Sequence, residues 1–137
     1  MRCTSGCRIL HLVSPDLYPG VPYEYTAVAP EASLVFTAGA CPIDAKGNVV
    51  APGDFEAQAQ QSLDNLRAAL ETAGSSFDRV LKTTVYVAAR EQAELVRVWN
   101  VVEQGFAPAR PPSTLVGVAL LGYRDQLVEI EAVALTG

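Results

Sequence analysis

An α+β fold, with two helices on one face of a mostly antiparallel sheet, follows from three features of the 137-residue sequence. Two amphipathic helical stretches are separated by an alternating, strand-like run. Further strand-like runs stand before the first helix and after the second. The final run, QLVEIEAVAL, alternates so that Val128, Ile130, Ala132 and Ala134 share one side, while Leu127, Glu129, Glu131, Val133 and Leu135 share the other. The expected order is β-β-β-α-β-α-β-β.

Each element has a local reason. Arg8–Val13 (RILHLV) reads as a first strand, and Ser14–Val21, rich in Pro and Gly, as a loop. Tyr25–Val28 and Leu34–Ala38 read as a hairpin across the turn-like Ala29–Ser33. Asp44–Asn48 is a turn in which Gly47 and Asn48 can take positive φ. Asp54 is suited to cap a long helix running to about Ala73, because Phe55, Ala59, Ser62, Leu63, Leu66 and Leu70 recur at spacings of three and four. Gln58, Gln61, Asp64, Asn65 and Arg67 fall on its other faces, and Gly74 stops it. Val80–Val87 alternates like a half-buried strand. Glu91–Gly105 is a second helix with Leu95, Val98, Trp99 and Val102 on one face, ended by the Pro-rich Ala107–Pro112. Thr114–Leu121 and Gln126–Leu135 read as a terminal pair of strands joined by Gly122–Asp125.

Composition narrows the function. The length suits one domain spanning residues 1–137. With 50% hydrophobic and 18% charged residues the chain carries ample core material, which excludes intrinsic disorder. Ten basic residues are scattered among fifteen acidic ones, for a net charge of −5, so no basic patch exists to bind nucleic acid. No stretch approaches the ~20 apolar residues of a membrane span, and Ile9–Val13, broken by His11, is too short for a signal peptide core. A cytoplasmic location is expected. Three cysteines without a framework of spacings read as reduced thiols. Cys3 and Cys7 could form a metal or redox pair, or be two free thiols on a frayed terminus. Nothing resembles a metal site, phosphate loop or nucleotide motif, and no cofactor is expected. The last strand, with carboxylates amid aliphatics on its second side, gives the sheet two partly apolar faces, which in so small a chain implies an oligomer.

The runs LVFTAGACPID (34–44), DFEAQAQQSLDNLRAALETAGSSFDRVLKTTVYV (54–87) and LVEIEAVAL (127–135) closely resemble the RidA/YjgF family of reactive-intermediate deaminases, in order and spacing, from about Pro22 to Leu135. The resemblance implies a chorismate-mutase-like (YjgF-type) fold and a homotrimer whose sheets pack into a central barrel, with three small-molecule clefts at the subunit junctions. It also implies hydrolysis of enamine or imine intermediates to a 2-oxo acid and ammonia. In such members an Arg clamps the substrate carboxylate with its planar fork, and a Glu on the last strand positions or activates water. A Tyr and a Ser-Gly line the cleft.

Carried over by the resemblance, Glu129 matches the Glu, Tyr23 the Tyr and Gly39 the Gly, whereas Ala38 replaces the Ser. The Asn of the second helix falls at Trp99, or at Asn100 with a one-residue shift. Counting back from Val116-Gly-Val118-Ala119 puts Ser113 where the Arg is expected. Arg110 stands three residues too early and is followed by Pro111 and Pro112. Either Arg110 reaches the cleft from its loop or the clamp is absent. An offset of roughly 10 Å in extended chain favours absence.

Plainer readings stand beside these. Glu129 could be an ordinary sheet carboxylate, as Glu131 is read to be, and Tyr23 an ordinary aromatic. Ser113 and Thr114 could offer hydroxyls to a ligand or simply begin a strand after two prolines. His11, Trp99 and Phe106 read as structural. Cys41 lies near the cleft, with nothing basic nearby to activate it. The expected function is a deaminase-type hydrolase acting on a small enamine or imine through Glu129, Tyr23 and Gly39. The alternatives are a metabolite-binding trimer without turnover, or a pathway-specific enzyme on a neutral substrate, both favoured by Ser113.

Overall fold

The long helix forms where the apolar stripe recurs, and its ends are set by single residues. The computed structural model describes residues 9–11, 15, 19–20, 22–24, 27–29 and 33–136. In it α1 spans Phe55–Thr72, with the Asp54 carboxylate accepting from the Ala57 amide at 3.0 Å. Past Ala73 the chain turns at Gly74, whose φ of 77° suits a residue without a side chain. The second helix, α2, spans Gln92–Phe106. It starts on a reciprocal cap in which Glu91 and Glu94 satisfy each other's end of the first turn. Both helices match their expected bounds to within a residue or so.

Four strands form one sheet in the order β1-β4-β2-β3, where β1 is Leu34–Phe36, β2 Val80–Val87, β3 Ser113–Gly117 and β4 Val128–Leu135. β4 pairs antiparallel with both β1 and β2, whereas β3 runs parallel to β2, joined to it across α2. The last two strands are therefore not neighbours, contrary to the expected terminal pair. Local pattern marks a strand but not its partner, and β2 stands between them. The expected hairpin between Tyr25–Val28 and Leu34–Ala38 is also absent among the described residues. Val28 instead exchanges two backbone hydrogen bonds with Leu10, at 2.9 and 2.8 Å, while β1 pairs with β4. Residues Arg8, Leu12, Val13, Tyr25 and Thr26 lie outside the described residues, as do most of Ser14–Val21 and parts of the Ala29–Ser33 turn.

One layer of core lies between the helices and one sheet face. Leu63, Leu66 and Leu70 of α1 and Val98 and Val102 of α2 pack on Val85, Val87, Val128 and Ile130. The helices approach closely at Gly105, where a Cβ would stand 2.5 Å from Leu63 Cδ1. An additional residue joins this layer against expectation. Gln58 is fully buried, not turned to an outer face. Its amide donates to Val50 O (3.0 Å) and Asp125 O (2.9 Å), and its carbonyl oxygen accepts from the Leu127 amide (2.7 Å). Burial of a polar group is tolerated because each end finds a partner. The opposite sheet face is open in the single chain. Phe36, 72% exposed, and Val116 sit on it, and Phe36, Lys82, Glu131 and Val133 help to line a depression of about 390 Å³.

Candidate functional site

Alternation along β4 sends Val128, Ile130, Ala132 and Ala134 into the core and leaves Glu129 and Glu131 on the open face. The two carboxylates meet different surroundings. Glu131 accepts from the Tyr86 hydroxyl at 2.6 Å, and that bond, with its negative charge, holds the Tyr86 phenol above its ordinary range. Glu129 lies against Gly39. A Cβ built at Gly39 would stand 2.5 Å from both Cδ and Oε2 of Glu129, so only glycine leaves the carboxylate its place.

Two donors converge on the other carboxylate oxygen. The Cys41 thiol donates to Glu129 Oε1 at 3.1 Å and Gln126 Nε2 donates at 3.3 Å. Burial, chiefly, and then the hydrogen bond to Glu129 and its negative charge push the Cys41 thiol up to about 11. It is a protonated donor at neutral pH and not a nucleophile. The segment that carries Gly39 and Cys41 is tied down on both sides. Ala40 and Ile130 exchange backbone hydrogen bonds at 2.7 and 3.1 Å. From α1, the Asn65 amide donates to Cys41 O (2.7 Å) and Ile43 O (2.9 Å).

A second group of expected residues lies elsewhere. Arg110 and Ser113 line a depression of about 210 Å³ together with Pro22, Trp99, Val102 and Phe106, on the helix side of the sheet. Tyr23 meets the edge of Trp99, with ring centroids 6.4 Å apart, and the neighbouring Glu24 amide donates to Arg110 O. The Ser113 hydroxyl is already committed, donating to Pro111 O at 3.0 Å and sharing a hydrogen bond with buried Thr83. Thr114 points to the open face, where it accepts from Lys82 Nζ at 2.8 Å.

The structure thus brings Glu129 to Gly39, and Arg110 to Ser113 and the Tyr23–Trp99 pair, but does not bring these groups together within one chain. Ser113 pairs with Thr83 and Glu129 with Tyr86, three positions apart on β2, so they are offset by roughly 10 Å along the strand at ~3.3 Å per residue, lie on opposite edges of β2, and face opposite sides of the sheet. Thr114 belongs to neither group. Phe106 is core; Trp99 is partly buried, and Asn100 is exposed, as is His11. Cys3 and Cys7 lie outside the described residues. No group of three or more His, Cys, Asp or Glu among the described residues could hold a metal, and no described helix is long and apolar enough to cross a membrane. Cys41 and Gln126 as partners of Glu129 escape sequence reasoning. Gln126 is three positions away, a spacing that puts side chains on opposite faces of a regular strand, and it reaches Glu129 only because it precedes β4.

Because Gly39 holds the place of a carboxylate, Gly39→Ala is expected to keep the fold but swing the Glu129 side chain off its seat. Any activity that depends on Glu129 should then fall by at least tenfold with little change in thermal midpoint. A crystal structure of the variant with Glu129 unmoved would contradict this.

Residues 16–136 match the family described as Endoribonuclease L-PSP. Among curated relatives, the chain is 34% identical over 110 residues to the RutC family protein PH0854 of Pyrococcus horikoshii, covering 80% of this chain and 85% of that one. It is 38% identical over 105 residues to the 2-iminobutanoate/2-iminopropanoate deaminase of Salmonella typhimurium, covering 74% and 79%. Among solved structures, a protein of unknown function of the conserved Rid protein family, YyfB from Yersinia pestis, superposes with a TM-score of 0.86 at 28% identity, covering 93% of this chain and 98% of that one.

Proposed function

The chain belongs to the Endoribonuclease L-PSP family, and from that premise we propose that it is a hydrolase that deaminates small enamine or imine intermediates in a cleft between subunits of a homotrimer. The observation that carries this reading is the seating of the Glu129 carboxylate on Gly39, on a sheet face that carries exposed apolar side chains such as Phe36. A relative at 38% identity is a 2-iminobutanoate/2-iminopropanoate deaminase, which makes the substrate class the natural first choice. The division of Glu129 and Arg110 between two faces of one sheet fits a cleft completed by a second subunit. The family's description as an endoribonuclease sits poorly with a net charge of −5.

In the reaction, the enamine first takes up a proton from solvent at carbon to give the iminium form of the imine. Water adds to the iminium carbon while Glu129 accepts a proton from it, and Glu129 then returns that proton to nitrogen. The C–N bond breaks with its electron pair leaving on ammonia, the hydroxyl of the adduct gives its proton back to solvent, and a 2-oxo acid is released. Tyr23 and the Gly39 backbone contact the substrate. Generating 2-aminoacrylate in the presence of the protein and following pyruvate and ammonia tests this. Release faster than in buffer alone is expected, and equality with buffer sinks the proposal.

Ser113, with its hydroxyl held by Pro111 O and Thr83, favours a weak grip on carboxylates. Ser113→Arg is expected to lower KM for 2-aminoacrylate by about tenfold, the effect of one charge-assisted pair. An unchanged KM would mean that Arg110 already performs this task. A second reading, a binding trimer or an enzyme for a neutral substrate, is favoured by the same serine. Thermal stabilisation by neutral amides but not by small carboxylates would select it.

A further inference from the structure

We propose that Cys41 and Gln126 form a two-donor clamp that fixes the orientation of the Glu129 carboxylate by holding Oε1 and leaving Oε2 for the reacting water. The assignment of a reacting water rests on the deaminase reading above; the clamp itself rests on geometry. Both donors reach the same oxygen, at 3.1 and 3.3 Å, and neither engages Oε2. Gly39 provides the floor beneath the carboxylate, its missing Cβ leaving space for Cδ and Oε2.

Each arm of the clamp is itself braced. Gln126 is 4% exposed, and both ends of its amide are in use. Its carbonyl oxygen accepts from the Tyr123 amide at 3.0 Å, and its nitrogen donates to Val128 O at 3.0 Å as well as to Glu129. Cys41 is held through its own carbonyl by Asn65 of α1, and its thiol has a second, longer acceptor in Gly39 O at 3.5 Å. The thiol of Cys41 stays protonated across the neutral range because burial and Glu129 push it up to about 11, so the donor is not lost on mild alkalinisation. A thiol is a weak donor, and two donors on one oxygen compensate for that. A carboxylate held in a single rotamer spends no reorganisation when water arrives, which is where such positioning acts on rate. The other titratable groups on this face include Tyr86, paired with Glu129 across the sheet, Glu131, which accepts from Tyr86, and Lys82, which donates to Thr114.

The test uses Cys41→Ala, Cys41→Ser and Gln126→Met in the full chain, with two readouts. Crystal structures of the variants follow the orientation of the Glu129 carboxylate, and steady-state kinetics with 2-aminoacrylate follow kcat and KM. In Cys41→Ala the Glu129 carboxylate should leave the single orientation it holds on Gly39, and kcat should fall about tenfold with KM changed less than about twofold. Cys41→Ser, which keeps an O–H donor, should restore both readouts. Gln126→Met should also release the carboxylate, whatever its thermal midpoint. A Glu129 carboxylate unmoved in Cys41→Ala and Gln126→Met, or a serine variant no better than alanine, overturns the clamp. Absence of turnover by the native protein overturns the deaminase reading alone, since the orientation of the carboxylate still decides whether the clamp exists.

Discussion

Glu129→Gln is expected to cut turnover of 2-aminoacrylate by about two to four orders of magnitude, the range typical of a lost general base. The variant keeps shape and size, so the seat on Gly39 survives and the thermal midpoint should barely move. An amide cannot take a proton from water, and kcat should fall far more than KM rises. A second signature reports on the site without any turnover. The Glu129 charge and hydrogen bond both push the Cys41 thiol upward. Loss of the charge, with the neutral amide oxygen as the weaker acceptor that remains, should lower the pH at which iodoacetamide alkylates Cys41. The midpoint should remain above the ordinary thiol value, because burial, the largest cause, is untouched. Undiminished turnover would exclude Glu129 as the base, and an unshifted alkylation profile would exclude the contact.

Gln58→Leu should be strongly destabilising. The side chain is fully buried and its amide ties α1 to two other stretches of chain, through the Val50 and Ala51 carbonyls and through the Asp125 carbonyl and Leu127 amide. Leucine would fill the volume yet leave these backbone groups buried without partners, at about 1–3 kcal/mol for each that water cannot reach. A loss of about 3 kcal/mol overall is expected, a fall in midpoint of roughly 10 °C for a chain of this size. Gln60→Leu on the exposed side of the same helix should change stability by less than about 0.5 kcal/mol. Chemical denaturation of the two variants side by side is the measurement; equal effects would remove Gln58 from this role.

The parts of the fold legible in the sequence are those set by neighbours. Asp54, Gly74 and the Leu63–Leu66–Leu70 stripe define α1 within its own residues, and the alternation of β4 declares which side chains face the helices. Pairing was not legible, because a strand's partner is chosen by distant chain, and β3 reads the same whether β2 or β4 lies beside it. Gln58 defeats a local reading for a related reason. A glutamine looks like surface until the carbonyls that it satisfies, one of them at Asp125, have been brought to it. Within the site, Glu129 and Gly39 were singled out through the family resemblance alone. Their contact, and the donors Cys41 and Gln126, depend on a crossing of segments that no local spacing encodes.

The strand order has a consequence for how the chain is made. β4 is the last of the four strands in chain order, yet it sits between β1 and β2 in the sheet. During synthesis β1 emerges early and can find no sheet partner until nearly all of the described chain has followed it. The nascent polypeptide therefore waits with Leu34, Val35 and Phe36 unpaired, and closure must bridge a long loop before any β1 contact repays its entropy. Closure of the sheet should be slow, with that interval as the period of greatest exposure to misassociation.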